Sequence, residues 1–189
     1  ESAAELPQPG EILFEDDFSD PDSGWGGYED SDGFSGYFDG AYQIGVNQPN
    51  YMSWAYQDIS YSDVIVSVDM RVKQSAVDGD YGVMCRVQDA DNFYGLEISE
   101  DGYFTIYKYV DGEFTALSDW QYSDLIVPDE YTRVTAACVG AQLTIAIDDT
   151  ILASVEDDTF ASGTLGLIAG TFDTPNFIIE YDNFVASQP

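Results

Sequence analysis

From position 63 to position 73 the chain alternates almost without fault. Val64, Val66, Val68, Met70 and Val72 share one parity, and Ser67, Asp69, Arg71 and Lys73 share the other. Successive side chains of an extended chain point to opposite faces, so this segment is a strand with one buried and one solvated face. A strand of that kind must lay its apolar face on a second layer, which for an antiparallel sheet is another sheet.

The rest of the chain supplies the partners. Further strands are predicted at 12–18, 34–38, 41–46, 52–57, 81–88, 93–99, 103–110, 131–139, 142–148, 151–156, 163–169 and 177–185, separated by Gly, Asn, Asp and Pro punctuation. Fourteen tyrosines and seventeen glycines against seven prolines suit many short strands joined by turns, and helix is scarcely supported anywhere. The expected architecture is all-β: two packed antiparallel sheets in a single domain over 11–187, preceded by a polar tether over 1–10.

Thirty-six acidic residues stand against five basic ones, a formal charge of -31, with no histidine. A chain without a concentrated basic patch cannot track a phosphate backbone or hold an anionic bilayer, so nucleic acid is not an expected partner. The lack of histidine removes the commonest general base near neutral pH and the commonest zinc ligand. Carboxylates are the abundant chemical resource, and cations and neutral ligands are the partners that remain. No apolar run approaches the roughly 20 residues that cross a bilayer, so direct membrane insertion is not expected. The opening segment reads like the tether that follows a signal peptide or a lipid-anchored cysteine; a trimmed cytosolic form reads the same way.

Cys85 shares its parity with Val83 and Val87, and Cys138 with Val134 and Ala136, which points both into the core. In an exported protein the two form a disulfide between the central sheet and the strand before Gly140; in a cytosolic one they are free buried cysteines acting as small hydrophobes. Neither has a histidine to activate it as a nucleophile.

Several landmarks follow one another in order: Phe14-Glu-Asp-Asp-Phe-Ser-Asp20, Ser23-Gly-Trp25, Cys85-Arg86, Asp91-Asn-Phe-Tyr94, Asp101-Gly-Tyr103 and Ile106-Tyr-Lys108. Cys138-Val-Gly140, Gly163-Thr-Leu-Gly-Leu167 and Tyr181-Asp-Asn-Phe184 complete the series. From Leu13 to Val185 the series resembles the concanavalin A-like lectin/glucanase jelly-roll superfamily, particularly bacterial laminin-G-like and 3-keto-disaccharide-hydrolase-like domains. The resemblance implies a two-sheet jelly-roll sandwich with its first and last strands adjacent, a secreted or cell-surface location in a bacterium, and glycan binding as the commonest activity. Where many relatives place Asn-Gly in a hairpin, this chain has Asp148-Asp149.

Two candidate sites follow. If the first and last strands pair as the resemblance implies, Asp16, Asp17 and Asp20 face Asp182, and a structural calcium there would clip the ends together. Asp157 and Asp158 are a second loop candidate; solvated acidic turns are the alternative for both. The other site is the exposed face of the central sheet, where Arg71, Lys73, Arg86 and Lys108 concentrate most of the scarce basic charge. There Arg86 and Glu97 would bond sugar hydroxyls beside Arg71, with Tyr107 or Trp120 stacking on a ring. The competing reading pairs these basic groups with Glu97 or Asp69 across strands.

On one side of the 103–110 strand, Tyr103, Tyr107 and Tyr109 would form an aromatic strip, while Trp25 and Trp54 read as packing residues. For hydrolysis Glu97 would need a second carboxylate, with Asp69 as the candidate, and no catalytic residue is assigned. The expected function is a non-catalytic extracellular carbohydrate-binding or surface-recognition module, stabilised by calcium. Its partner is a polysaccharide or other glycan, or a protein domain of the same surface assembly. A structural or adhesion domain without a sugar site and a carboxylate-dependent glycoside hydrolase are the alternatives.

Overall fold

The structure, a computed structural model, describes residues 5–189; residues 1–4 of the expected tether lie outside the described residues. In chain order the strands are β1 (Ile12–Asp16), β2 (Tyr28–Glu29), β3 (Gly33–Phe38), β4 (Ala41–Val46), β5 (Tyr51–Tyr61), β6 (Val64–Gln74), β7 (Asp80–Asp89) and β8 (Asn92–Ser99). They continue as β9 (Tyr103–Val110), β10 (Glu113–Ala116), β11 (Gln121–Tyr122), β12 (Thr132–Val139), β13 (Gln142–Ile147), β14 (Thr150–Glu156), β15 (Gly163–Thr171) and β16 (Phe177–Ser187). No helix occurs among the described residues.

The strands pair antiparallel and build two sheets. One has nine strands in the order β14-β13-β12-β6-β16-β4-β3-β2, with β1 also on β16; the other has seven in the order β10-β9-β8-β7-β15-β5, with β11 on β9. This is the expected jelly-roll sandwich. The alternation of the predicted 63–73 strand is realised in β6, where Val64, Val66, Val68 and Met70 are fully buried. Across the interior they share one core with Tyr81, Val83, Leu96, Ile98, Ile106, Leu165 and Leu167 of the seven-stranded sheet.

Cys85 of β7 and Cys138 of β12 form the disulfide, which ties one sheet to the other across 53 residues of chain. The ends are also joined: β1 lies against β16, and Gly10 N–H donates to the carbonyl of Gln188. Beside this junction, Phe18, Trp25, Tyr42 and Phe184 pack as an aromatic plug, with the Trp25 and Phe184 rings 5.0 Å apart. Trp25 is thus a packing residue, as its place after Gly24 suggested.

The first strand stops at Asp16, two residues short of expectation. The Asp16 carboxylate accepts the N–H of Phe18, which sits in the left-handed region at φ 55°, and this short side-chain turn competes with continued pairing. β2, β10 and β11 were not foreseen; each is four residues or shorter and exposed at every residue, so none carries a periodic pattern.

Candidate functional site

Among the described residues, the outer face of the seven-stranded sheet has no third layer, yet part of it is buried. Met84, Val87, Phe93, Tyr107 and Ile168 form a second apolar cluster there, flanked by Met52, Trp54 and Tyr109. At one end this face sinks into a pocket of about 390 Å³, within the size range of small-ligand sites.

Three polar side chains make the floor: Asp80 of β7, Glu97 of β8 and Tyr107 of β9. Each stands directly opposite a glycine on the neighbouring strand, Asp80 against Gly170, Glu97 against Gly82 and Tyr107 against Gly95. The missing side chains are the space in which these groups lie across the sheet. A Cβ on Gly95 would fall 2.2 Å from the Tyr107 ring, and one on Gly170 would fall 2.2 Å from Asp80 Oδ1. Strand glycines that weaken a sheet are here the condition for its recess.

Aromatic rings form the rim. Trp120, Phe172, Tyr51 and Phe114 are 39%, 40%, 41% and 53% exposed around the pocket mouth. Phe114 comes from β10 and Trp120 from the segment that leaves it, so the excursion between β9 and β12 builds one wall.

The floor is a hydrogen-bonded unit. Tyr107 O–H donates to Glu97 Oε1 at 2.6 Å, and the carboxyl groups of Glu97 and Asp80 lie within hydrogen-bonding reach of one another. Burial pushes Glu97, 2% exposed, well above the ordinary carboxylate range, and the charge of Asp80 adds to the rise. Burial likewise raises Asp80 to about 6. Two carboxyls in contact cannot both ionise cheaply, so the pair keeps a proton toward neutral pH and presents a donor as well as acceptors. Burial and the neighbouring Glu97 charge raise Tyr107 well above an ordinary phenol, so its proton stays in place.

On the opposite sheet the balance is reversed. Burial raises Glu180, but hydrogen bonds from Tyr131, Lys73 and Arg71 outweigh it and hold the group at about 2. Asp157 falls below the ordinary range in the same way, with bonds from Lys108, Thr159 and Tyr94 outweighing burial.

These opposed shifts set the pH dependence of stability. Glu180 and Asp157 contribute stability that is fully present above the ordinary carboxylate range and is lost as pH falls through their folded values. Asp80 and Glu97 act oppositely: their raised values favour the fold at low pH, and that contribution is lost as pH rises through about 6 for Asp80. The thermal midpoint is therefore expected to peak between about pH 4.5 and 6. A midpoint climbing steadily from the peak window into the alkaline range would contradict these assignments.

Of the residues expected to bind sugar, Glu97, Tyr107 and Trp120 meet in this pocket. Arg86 and Arg71 do not. Arg86 is not on an exposed face: it is 2% exposed, at φ 52°, in an irregular stretch of β7. Met84 and Val87 lie on the same outer face although three residues apart, so one extra residue is inserted at this point and strict alternation fails. Arg86 turns instead toward the β5–β6 turn and the segment before β15, where it donates to the carbonyls of Ser62 and Phe160 and pairs with Asp63.

Arg71 lies on the nine-stranded sheet, paired with Glu180 and 4.5 Å over the Tyr131 ring. Asp69 is on that sheet too, bonded to Arg133, so the carboxylate beside Glu97 is Asp80. Sequence reasoning missed Asp80, Tyr51, Phe114 and Phe172, whereas Tyr109 belongs to the expected aromatic strip and does line the pocket. The one available clue was the set of glycines inside otherwise regular strands.

The four aspartates at the chain ends are placed close to the β1–β16 junction, and Asp16, Asp17 and Asn183 line a shallow hollow there. Each aspartate gives at least one oxygen to a local turn. Asp16 accepts from Phe18 N–H and Ser23 O–H, Asp17 from Ser19, Asp20 from Asp22 N–H, and Asp182 from Asn183 N–H. Among the described residues no three Asp, Glu, Cys or His side chains gather where they would hold a metal ion. As placed, this donor set does not fit a calcium cage of six to eight oxygens.

No protein-family model and no curated protein sequence matches the chain. Among solved structures it is similar to the carbohydrate-binding module CBM66 from Bacillus subtilis, with a TM-score of 0.71 and 18% identity over 87% of this chain and 96% of that one. A protein of unknown function with a galectin-like fold from Bacillus subtilis gives 0.71 and 13% over 96% and 97%. Bacillus licheniformis beta-glucanase gives 0.67 and 12% over 96% and 100%. These likenesses show the fold alone, a two-sheet jelly-roll sandwich, as the landmark residues implied.

Proposed function

We propose that this domain is a carbohydrate-binding module that works outside the cell and binds its glycan in the recess on the outer face of the seven-stranded sheet. The observation that carries the reading is the pocket itself, with exposed aromatic rings around a floor that both donates and accepts hydrogen bonds. Sugar rings offer apolar C–H faces for stacking and hydroxyls that need partners of both kinds. The inter-sheet disulfide supports an oxidising compartment, and the similarity in fold to a carbohydrate-binding module of Bacillus subtilis agrees with the reading.

Migration through native gels containing single soluble polysaccharides tests the reading. Retardation by at least one glycan is expected, with Trp120→Ala weakening it about tenfold, a loss of about 1.4 kcal/mol, and leaving the melting curve unchanged. Gly95→Ala is expected to abolish retardation, because the new methyl drives the Tyr107 ring into the cleft. Binding that survives both substitutions would place the site elsewhere.

A hydrolase is the second reading, favoured by the Asp80–Glu97 pair. Two-carboxylate hydrolysis separates its groups by about 5 to 9.5 Å so that the scissile bond fits between them. Carboxyls in hydrogen-bonding contact leave no such room, and the non-catalytic reading is preferred. Release of reducing ends by the protein, abolished in Glu97→Gln, would reverse that preference.

A further inference from the structure

The cleft is acidic throughout. Past Trp120 and Phe172, which line both parts, the pocket continues into a second hollow of about 340 Å³ that contains Asp78 and Asp101. Among the described residues no lysine or arginine lines either part. Every basic side chain of the protein is paired elsewhere: Arg71 and Lys73 with Glu180, Arg86 with Asp63, Lys108 with Asp157 and Arg133 with Asp69. The buried Oδ1 of Asp78 has no hydrogen-bond partner among the described residues.

A neutral sugar would use the aromatic walls and leave this concentration of carboxyls uncompensated. An anionic sugar would meet repulsion from the floor and from a protein of charge -31. An ammonium group answers both problems. Its three N–H donors match acceptors on Glu97 and Asp80, and the faces of Tyr109, Phe114 and Trp120 attract a desolvated cation where contact is made.

Building on the carbohydrate reading, we propose that the cleft selects glycans bearing a free protonated amine, hexosamine units that are not acetylated, over neutral and acidic sugars. The ammonium takes the place of the proton shared by Asp80 and Glu97, and that proton leaves to solvent. The other ionisable groups facing the cleft are Asp78, Asp101, Tyr51, Tyr103, Tyr107 and Tyr109, so among the described residues no neighbouring cation opposes the exchange.

The test is calorimetry of the full chain with three β-1,4-linked tetrasaccharides, of glucosamine, of N-acetylglucosamine and of glucose. Moderate salt screens general attraction to the acidic surface. The glucosamine oligomer is expected to bind at least about tenfold more tightly than the other two. Near pH 6, where Asp80 titrates, buffers of different ionisation enthalpy should report proton release on binding.

Glu97→Gln should remove the preference, and Asp80→Asn serves if that variant does not fold. Asp149→Asn, an equal change of charge on the distant β13–β14 turn, should keep it. Equal binding of the glucose tetrasaccharide, sensitive to Trp120→Ala, would overturn the amine preference while leaving the sugar site standing. A preference untouched by Glu97→Gln and Asp80→Asn would reduce it to surface attraction and overturn the proposal. Failure of the glucosamine oligomer to bind would do the same, and only the loss of all glycan binding would also remove the carbohydrate reading.

Discussion

Arg86→Met is expected to destabilise the domain by about 3 kcal/mol. The guanidinium is buried and donates to two backbone carbonyls, those of Phe160 at 2.8 Å and Ser62 at 3.3 Å, which hold the segment before β15 and the β5–β6 turn against β7. Methionine fills similar volume but donates nothing, and a hydrogen bond from a charged donor of this kind is worth about 1.5–3 kcal/mol. The Asp63 pair contributes little to this figure, because that carboxylate is 49% exposed and water replaces the lost partner. For a chain of this length the thermal midpoint should fall by roughly 10 °C. Arg86→Lys should recover little of it, since one ammonium cannot reproduce a fork of donors aimed at two carbonyls. Thermal unfolding of both variants checks the account; a midpoint within about 2 °C of the parent for Arg86→Met would remove the anchor role.

Replacing Cys85 and Cys138 together by alanine is expected to cost about 4 kcal/mol. The bridge closes a loop of 53 residues, and the entropy it removes from the unfolded chain grows with that length. It also joins the two sheets across their shared core, so its loss weakens the contact between layers more than pairing within either. Chemical denaturation should show a lower midpoint with a changed slope, because the unfolded chain expands when the bridge is gone. A double variant as stable as the parent would mean that sheet packing alone holds the layers together.

What the sequence showed and what it hid divide on locality. The alternation in β6, the parity of both cysteines and the order of the landmark residues are local patterns, and each led to the observed sandwich. Glu97 and Tyr107 were legible because each lies in a strand whose neighbours are apolar. Arg86 was misread because one inserted residue in β7 reverses the alternation, and the sequence around Cys85 carries no mark of it. Asp80 was invisible as the partner of Glu97 because register, not spacing, sets Gly170 opposite Asp80 and Gly82 opposite Glu97. The acidic chain ends show the converse. Asp16, Asp17, Asp20 and Asp182 read as one donor set, yet each gives an oxygen to a turn of its own, and among the described residues no three acidic side chains gather around one point.

The outer face of the seven-stranded sheet is the proposed glycan-binding surface, and the three methionines report on it directly. Met52 lines the pocket, Met84 lies further along the same face, and Met70 is sealed between the sheets. In protein labelled with 13C at the methionine methyl groups, titration with the polysaccharide that retards the domain should move the Met52 resonance saturably. Met84 should move less and Met70 not at all. Saturable binding that leaves Met52 unmoved would contradict the claim and send the search to another surface.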